Sequence, residues 1–319
     1  MKPIERFLRE TDRVPLMPMP TPLHPMHYQP SGKDVSLLIK RDDMTGVGPG
    51  GNKIRSLEFL LGEARSKGAS KILAAGPEQS NLCALTAAAC AKAGLDCELI
   101  INATEPARKE GNLLLEELLG TKIHFLGPCD GAVRNRRMEE LAAAYQSAGE
   151  QVYVVRNGAT TGRGALGYTA AVVEMKRQCE DLGIGRMTIF APGGNGGNQL
   201  MGQPFRIVIV SVEDDRETLT AHIRSTISEA EEITGLPMDV PVEQAAEITD
   251  AYRGGGWGEN TEESQQAVLS FARSEGIFIE NVYTSKVLVG MMDWIEQEKV
   301  SGPVCYLHTG GLGSLFAQY

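Results

Sequence analysis

Short apolar runs alternate with longer, helix-patterned segments along most of the chain after Ser36. The runs that predict strands read SLLIK, KILAAG, CELIIN, KIHFLG, QVYVVRNG, MTIFAPGG, FRIVIVSVE and, near the end, CYLHTGG. Between them lie segments such as EGNLLLEELLG and LGYTAAVVEMKRQCEDLG, in which apolar residues recur at helical spacing. Strand followed by helix, repeated this often, predicts an α/β protein whose parallel sheets are flanked by helices.

The strands near Ile72, Leu99 and Ile207 are almost wholly apolar, as expected for strands that are buried on both faces. The chain has 319 residues, and an α/β chain of this size usually divides into two domains. Ligands of such proteins bind in the crevice beyond the carboxyl ends of the strands. We therefore expect functional residues in the loops that follow strands.

The charge pattern argues against several classes of function. The net charge is −10 and no basic run stands out, so nucleic-acid binding is not expected. Three arginines lie within Arg134–Arg137, but acidic residues follow closely and predict a solvated helix face. No apolar stretch approaches the roughly 18 residues of a membrane span. The charged N-terminus also lacks the apolar core of a signal peptide, so neither a membrane span nor secretion is expected.

The cysteines and histidines are scattered along the chain. None of the six cysteines forms a C-x-x-C pair, which favours reduced, mostly buried thiols in a cytoplasmic protein. His24 and His27 form an isolated pair in a proline-rich segment and lack further ligands nearby. No metal site is therefore predicted.

A glycine-rich stretch, TGVGPGGNKIRSLEFLL, leads into Lys53, where a helix is predicted to begin. One face of that helix is apolar and contains Ile54, Leu57, Leu61 and Ala64. The GVGPGG segment formally matches the dinucleotide pattern G-x-G-x-x-G. However, the polar KRDDMT separates it from its strand and KILAAG ends without an acidic residue, which disfavours nicotinamide or flavin binding. A phosphate-binding P-loop is also disfavoured, because no Gly-Lys-Ser/Thr follows.

Two further loops follow predicted strands. In APGGNGGNQLMG, the glycines of Gly193–Gly197 leave backbone amides uncovered, which indicates an anion-binding nest, with a flexible turn as the simpler alternative. In GPEQSN, Ser80 is a good N-cap for the next helix, and capping alone would explain it. A lysine beside a glycine turn, an anion nest and a Ser-Asn cap together favour pyridoxal phosphate. That cofactor needs an amine, amides for its phosphate and partners for its ring.

Five blocks of sequence resemble one enzyme family. They are KRDDMTGVGPGGNKIRSLEFLL, EQSN, LGY near Gly167, VYTSK at Val282–Lys286 and LHTGG at Leu307–Gly311. In this order, and over nearly the whole chain, they resemble the D-cysteine desulfhydrase and 1-aminocyclopropane-1-carboxylate (ACC) deaminase family of pyridoxal-phosphate enzymes. The GGNK and QSN blocks together are the most specific part of this resemblance.

The resemblance implies a two-domain, tryptophan-synthase-β-like fold. A large cofactor-binding domain would comprise residues 1–53 and 163–319, and a smaller inserted α/β domain would comprise residues 54–162. The resemblance also implies pyridoxal 5'-phosphate as the cofactor, a small amino acid as the substrate, and a homodimer as the assembly.

The same resemblance implies a role for each matching residue. Lys53 would bind the cofactor covalently and later move the substrate's α-proton, Ser80 would bind the substrate carboxylate or assist proton transfer, and Tyr283 would stand near the substrate. Asn81 would contact the ring hydroxyl and Thr284 the pyridine nitrogen. The remaining cofactor contacts would come from Asn52, Gly193, Gly194, Asn195, Gly196 and Gly197. The substrate would be contacted by Gln79, Ser80, Asn81, Trp257 and Tyr283.

The chain departs from the family at two of these places. Relatives usually carry serine or threonine in the phosphate loop, where this chain has glycine and asparagine. They commonly have Gly-Tyr-Gly, with an active-site tyrosine, where this chain has Gly256, Trp257 and Gly258. Trp257 keeps an aromatic ring but loses the phenol. We therefore expect it to form an apolar wall of the substrate site.

The resemblance predicts a D-cysteine desulfhydrase-like lyase that performs α,β-elimination on a small, cysteine-like amino acid. Alternatives are an ACC deaminase, an L-cysteate sulfo-lyase, an amino-acid racemase or, in another class, a non-catalytic amino-acid or cofactor-binding protein. The deaminases that resemble this chain have glutamate after the corresponding tyrosine, whereas Thr284 follows Tyr283 here. A neutral hydroxyl would leave the pyridine unprotonated, and that weaker electron sink suffices for elimination.

Overall fold

The computed structural model describes residues 3–28, 33–193, 205–237 and 241–319. Within these ranges the strands form two sheets, one of six strands and one of four, with helices packed around both. The predicted α/β architecture of parallel sheets flanked by helices is confirmed.

The elements alternate along the chain as the hydrophobic pattern predicts. The strands are β1 (Leu23–Pro25), β2 (Leu37–Arg41), β3 (Lys71–Gly76), β4 (Asp96–Ile101), β5 (Lys122–Phe125), β6 (Val152–Val155), β7 (Met187–Gly193), β8 (Phe205–Ser211), β9 (Glu247–Thr249) and β10 (Val304–His308). The α-helices are α1 (Pro3–Glu10), α2 (Lys53–Ser66), α3 (Asn81–Ala93), α4 (Gly111–Leu118), α5 (Gly131–Ser147), α6 (Gly162–Asp181), α7 (Arg216–Thr234), α8 (Val242–Ala245), α9 (Glu262–Glu275), α10 (Thr284–Glu296) and α11 (Leu312–Leu315). Each apolar run that predicts a strand forms one. The pattern does not predict β1 and β9, because three residues are too few to show a period.

The larger sheet has the spatial order β1-β2-β10-β7-β8-β9, and its β1–β2 pair is antiparallel while the other pairs are parallel. Its central strands are buried on both faces. Phe190 and Val208 pack into one apolar cluster with α9 and α10, and Ile189 and Ile209 pack into another with α6 and α7. This two-sided burial explains why these strands read as continuous apolar runs.

The smaller sheet has the order β5-β4-β3-β6 and is parallel throughout. Its strands all fall within residues 54–162, whereas the larger sheet takes strands from both sides of that segment. This arrangement agrees with a small sheet domain inserted into a larger one. The domain bounds at residues 54 and 162 stay a prediction.

Helix α2 is buried almost all round, which differs from the single apolar face that its sequence predicts. On the polar side of α2, the segment with Leu16 and Met17 packs against the helix. The Glu58 carboxylate accepts hydrogen bonds from the backbone amides of Leu16 (2.8 Å) and Met17 (3.0 Å). Helix α6 approaches closely at Gly167, where a Cβ atom would lie 2.3 Å from the Arg55 carbonyl oxygen. The helix that begins at Lys53 is thereby fixed from several sides.

Three further features concern the classes of function considered above. No helix in the described part of the chain is long and apolar enough to cross a membrane. All six cysteines are free thiols. The described residues contain no group of three or more His, Cys, Asp or Glu side chains that could hold a metal ion.

Candidate active site

A cavity of about 430 Å³ lies where strands of both sheets end. Its wall includes residues that directly follow the carboxyl ends of β3, β4 and β10, namely Pro77, Asn102 and Thr309, together with Pro192 near the end of β7. Loops after parallel strands are where α/β proteins bind their ligands. Predicted site residues in the same wall are Asn52, Lys53, Gln79, Ser80, Asn81, Trp257 and Tyr283.

The glycine turn before α2 places Lys53 in this cavity. Gly50 has φ +77°, and a Cβ atom there would lie 1.7 Å from the Asp43 carbonyl oxygen, so the turn requires glycine. Gly51 then pairs with Gly310 of the last glycine turn in an isolated β-bridge. Two backbones can meet this closely because neither residue carries a side chain. Lys53 follows this turn and lines the cavity together with Gly310.

The electrostatic setting of Lys53 suits a nucleophilic amine. Burial lowers the pKa of the Lys53 amine to about 8. No carboxylate within the described residues forms an ion pair with this amine, so no partner restores the positive charge. A substantial neutral fraction can therefore form near neutral pH, and a neutral amine can attack a carbonyl or accept a proton.

The Ser80–Asn81 pair begins α3 at the cavity wall. Ser80 caps the helix, since its hydroxyl accepts a hydrogen bond from the Cys83 amide at 3.2 Å. The Asn81 Oδ1 atom accepts a hydrogen bond from Asn112 Nδ2 at 2.8 Å, which leaves the Asn81 amide nitrogen as a donor. Asn112 also donates to the Gln79 carbonyl oxygen at 3.0 Å. Asn112 thus positions the whole Gln79–Asn81 turn, a role that no motif in the sequence predicted.

Trp257 and Tyr283 meet at the opposite wall. The Trp257 indole nitrogen donates a hydrogen bond to the Tyr283 hydroxyl oxygen at 2.7 Å. Trp257 therefore lies in the cavity wall, where it makes a polar contact as well as presenting an aromatic ring, and its predicted contact with the substrate stays a prediction. Because an indole N–H can only donate, the Tyr283 hydroxyl must accept this bond and keeps its own proton for another partner.

The glycine-rich loop that carries Trp257 is held from below by Lys286. The buried Lys286 amine donates to the carbonyl oxygens of Arg253 (2.6 Å) and Gly256 (3.0 Å). Lys286 is not part of the cavity wall, and both carbonyls belong to the loop. The lysine of the VYTSK block, Lys286, therefore stabilises the loop, whereas Lys53 lines the cavity.

Thr284 lies behind the cavity wall, and Glu280 occupies the wall in its place. The Thr284 hydroxyl lies 2.9 Å from Glu280 Oε1, and the same carboxylate accepts backbone amides of Val282 (2.6 Å) and Tyr283 (2.9 Å). Burial raises the pKa of the Glu280 carboxyl, although these hydrogen bonds oppose the shift. A contact of Thr284 with a pyridine nitrogen stays a prediction. Glu280 was not predicted, and the sequence signal that could have indicated it is an acidic residue just before a helix start.

Arg134 corrects the prediction of a solvated arginine face. Arg136 and Arg137 are exposed, but Arg134 is only 6% exposed and lines the cavity. The reason is its place in the first turn of α5, which points it toward the ends of the small-sheet strands. Glu213, which follows β8, lines the same cavity. The pKa of its carboxyl group is raised mainly by burial and in addition by the charge of the neighbouring Asp214. The sequence pattern indicated Arg134 only as part of a solvated helix face, and it did not indicate Glu213.

The predicted phosphate nest is placed only at its first residue. Gly193 ends β7, where a Cβ atom would lie 2.6 Å from side chains of Ile209 and Leu219. Gly194, Asn195, Gly196 and Gly197 lie outside the described residues. The nest therefore stays a prediction.

Known proteins similar to this chain agree on one type of enzyme. The family model described as pyridoxal-phosphate dependent enzyme matches residues 14–310. A protein of Pyrococcus horikoshii is 34% identical and aligns over 97% of this chain and 95% of its own length. A protein of Pyrococcus abyssi is 30% identical over 98% and 96%. Both bear the name "Putative 1-aminocyclopropane-1-carboxylate deaminase".

Solved structures extend this similarity to three dimensions. A crystal structure described as an ACC deaminase homologue superposes with a TM-score of 0.89, at 32% identity, and covers 99% of this chain and 97% of that one. Threonine deaminase isoform 2 of Solanum lycopersicum superposes with a TM-score of 0.64 at 14% identity, over 97% of this chain and 82% of its own. The second likeness concerns the fold alone. Together they confirm the tryptophan-synthase-β-like fold.

Proposed function

We propose that this chain, which belongs to the family of pyridoxal-phosphate-dependent enzymes, is a lyase that eliminates a β-substituent from a small, cysteine-like amino acid. The products would be a 2-oxo acid, ammonia and the leaving group. The observation that carries this proposal is the amine of Lys53, with a pKa of about 8, in the cavity wall. Elimination begins with loss of the α-proton, and a neutral amine in the site can accept that proton.

The residues of the cavity fit the cofactor. Lys53 supplies an amine, and the Asn81 amide nitrogen is free to donate. Bound pyridoxal phosphate supplies an electron sink for negative charge that develops at the substrate's α-carbon. The protein contributes binding, orientation and proton movement.

Three side chains would then share the work on the substrate. Lys53 would accept the α-proton once its amine is released from the cofactor. Ser80, at the N-terminus of α3, lies where backbone amides and the helix dipole attract the substrate carboxylate. The Tyr283 hydroxyl, held by Trp257, keeps a proton that it can direct toward the substrate or the leaving group. Burial raises the pKa of Tyr283, so the phenol stays protonated.

ACC deamination is the second candidate, and a specific observation favours it. The two Pyrococcus relatives carry that name, and the buried carboxyl group of Glu280, which accepts a hydrogen bond from Thr284, lines the cavity. A carboxylate near the cofactor nitrogen would strengthen the electron sink that ring opening needs. Against this candidate, ACC has no α-hydrogen for Lys53 to remove, and Trp257 cannot shuttle a proton.

Product analysis with D-cysteine, L-cysteine and ACC tests the proposal. We expect pyruvate, sulfide and ammonia from a cysteine enantiomer, and a kcat/KM for ACC that is lower by about 100-fold or more, equivalent to ~3 kcal/mol. Faster release of 2-oxobutanoate from ACC would assign the deaminase activity instead. If no amino acid gives a 2-oxo acid while amino acids still change the absorption spectrum of the bound cofactor, the chain is a binding protein.

A further inference from the structure

Arg134 is held in the cavity wall by its neighbours but is not neutralised by them. Its Nη1 atom donates to Asn102 Oδ1 at 3.0 Å, and Asn102 is itself fixed by a 2.7 Å bond to the Cys129 carbonyl oxygen. The Arg134 Nε atom is buried without a hydrogen-bond partner in the described part of the chain. No carboxylate there lies within 4.0 Å of the guanidinium. Arg134 is only 6% exposed, and one amide oxygen is its side-chain partner in the described part of the chain.

The buried cations outside the cavity wall have partners in the described structure. Lys40 and Arg55 both pair with Glu174, and Lys71 pairs with Glu98. Lys286 is bound by two carbonyl oxygens of the glycine-rich loop. Burying a charge without a partner costs several kcal/mol, so folded proteins rarely keep one unless a ligand completes the site.

The two acids of the cavity wall, Glu213 and Glu280, do not complete the site. The charge of Arg134 opposes the rise in the pKa of Glu213, but the two side chains form no ion pair. The Glu280 carboxyl group instead accepts hydrogen bonds from Tyr283 and Thr284. The sequence between residues 194 and 204 contains no aspartate or glutamate either. The positive charge of Arg134 is thus available to a molecule bound in the cavity.

The α-carboxylate of an amino acid already has a place elsewhere. The N-terminus of α3, with Ser80 as its cap, presents backbone amides to the cavity. Arg134 belongs to a different element, α5, and its hydrogen bond connects it to Asn102, which directly follows β4. A planar guanidinium binds sulfonate, phosphate and carboxylate groups with two parallel hydrogen bonds. A second anionic group on the substrate would meet it.

We propose that Arg134 binds an oxyanion on the substrate's β-carbon, so that the preferred substrates are small amino acids with a sulfonate or phosphate side-chain group. This inference rests on the proposed function. In the elimination, the Cα–H bond breaks and its proton goes to Lys53, while the bond from Cβ to the substituent breaks and the substituent leaves with the electron pair. With one water, cysteate would give pyruvate, ammonia and bisulfite, and O-phosphoserine would give pyruvate, ammonia and phosphate. Arg134 would stabilise the departing anion.

The test compares the holoenzyme with Arg134→Met and with Arg137→Met, a control on the exposed face of the same helix. Pyruvate release from D- and L-cysteate, O-phosphoserine and neutral β-chloroalanine gives kcat/KM, and calorimetric titration gives Kd for any of these compounds that the holoenzyme binds without releasing pyruvate. We expect Arg134→Met to reduce the preference for the anionic amino acids over β-chloroalanine by about 10–100-fold, the value of a charged hydrogen-bonded pair. Arg137→Met should leave this preference as it is. Arg134→Lys should restore part of it.

Several results would overturn the inference. The native enzyme could bind cysteate and O-phosphoserine no better than β-chloroalanine, or Arg134→Met could weaken all three equally. Loss of the cofactor from Arg134→Met on dialysis would show that Arg134 holds the cofactor phosphate instead. Tight, Arg134-dependent binding of cysteate without pyruvate release would support the subsite and refute the lyase function, so the two failures are distinguishable. If Arg134→Met does not fold, the ratio measured with Arg134→Lys decides.

Discussion

The protein contains two groups of buried charge that differ in how they are balanced. In the first group, Arg55 of α2 forms hydrogen bonds with Asp42 at 2.7 and 2.8 Å and with Glu174 at 2.9 and 3.1 Å. Lys40 completes this network on Glu174. In the second group, Lys53 and Arg134 line the cavity and have no carboxylate partner among the described residues.

This difference separates charges that hold the fold from charges that face a ligand. Burial opposes ionisation of Asp42, but the Arg55 guanidinium outweighs it, and the carboxyl pKa is lowered. At Lys53 burial acts alone, and the amine pKa falls to about 8. A network that is closed on itself keeps its charges and fixes the helix. An open site leaves its cations reactive or available for binding.

The largest effect is expected at the open amine. Lys53→Ala should reduce turnover by about 10³-fold or more, because the attachment point of the cofactor and the base disappear together. Borohydride reduction of the native protein, followed by peptide mapping, should place the cofactor on Lys53. Lys67→Ala, at the exposed residue that directly follows α2, is the matched control and should keep both the activity and the absorption of the bound cofactor. An adduct on Lys286 would contradict the assignment.

The next largest effect is expected in the closed network. Asp42→Asn should lower the free energy of unfolding by about 3–5 kcal/mol, because it leaves Arg55 buried with an incomplete set of acceptors. Glu10→Gln removes an exposed ion pair with Arg6 and should cost less than about 1 kcal/mol. Urea unfolding of both variants measures the contrast. Similar losses in the two variants would mean that the network under α2 is not closed.

The sequence predicts the framework of the fold and part of the site. Buried strands and the helix after the glycine turn are predicted because their periods are strong and local. The residues in the cavity wall that were predicted, such as Lys53 and Ser80, lie directly beside glycine turns or helix starts. These signals can be recognised from the sequence alone, because they depend on neighbouring positions in the chain and not on contacts between distant segments.

The rest of the site depends on contacts between distant segments. Asn112 touches Asn81 across 31 positions of sequence, and Trp257 touches Tyr283 across 26. Arg134 belongs to a charged helix whose neighbours at positions 136 and 137 are exposed, so its burial follows from the placement of α5 and not from its pattern. Glu280 reaches the wall in place of Thr284 because the chain turns before α10.

Glu116 in α4 is a third kind of buried ionisable group, because within the described residues it has neither a hydrogen-bond partner nor a place in the cavity wall. It is fully buried, and both carboxylate oxygens lack hydrogen-bond partners in the described structure. Burial raises the pKa of the Glu116 carboxyl from 4.5 to about 8. A carboxyl with a raised folded-state pKa stabilises the protein fully below its unfolded pKa, and this contribution is lost as the pH rises toward 8.

Glu116→Gln, which keeps the shape and removes the titration, should therefore match the native Tm below about pH 4 and exceed it increasingly toward about pH 8. The gain should be on the order of 1 kcal/mol per pH unit, and it should level off once Glu116 is ionised in the folded state as well. Glu117→Gln, the exposed neighbour on the same helix, is the control and should show no such rise. Melting curves of the three proteins across this range provide the measurement. A constant Tm difference between native and Glu116→Gln would show that Glu116 has a charged or hydrogen-bonded partner in solution, and that this third region belongs with the closed network.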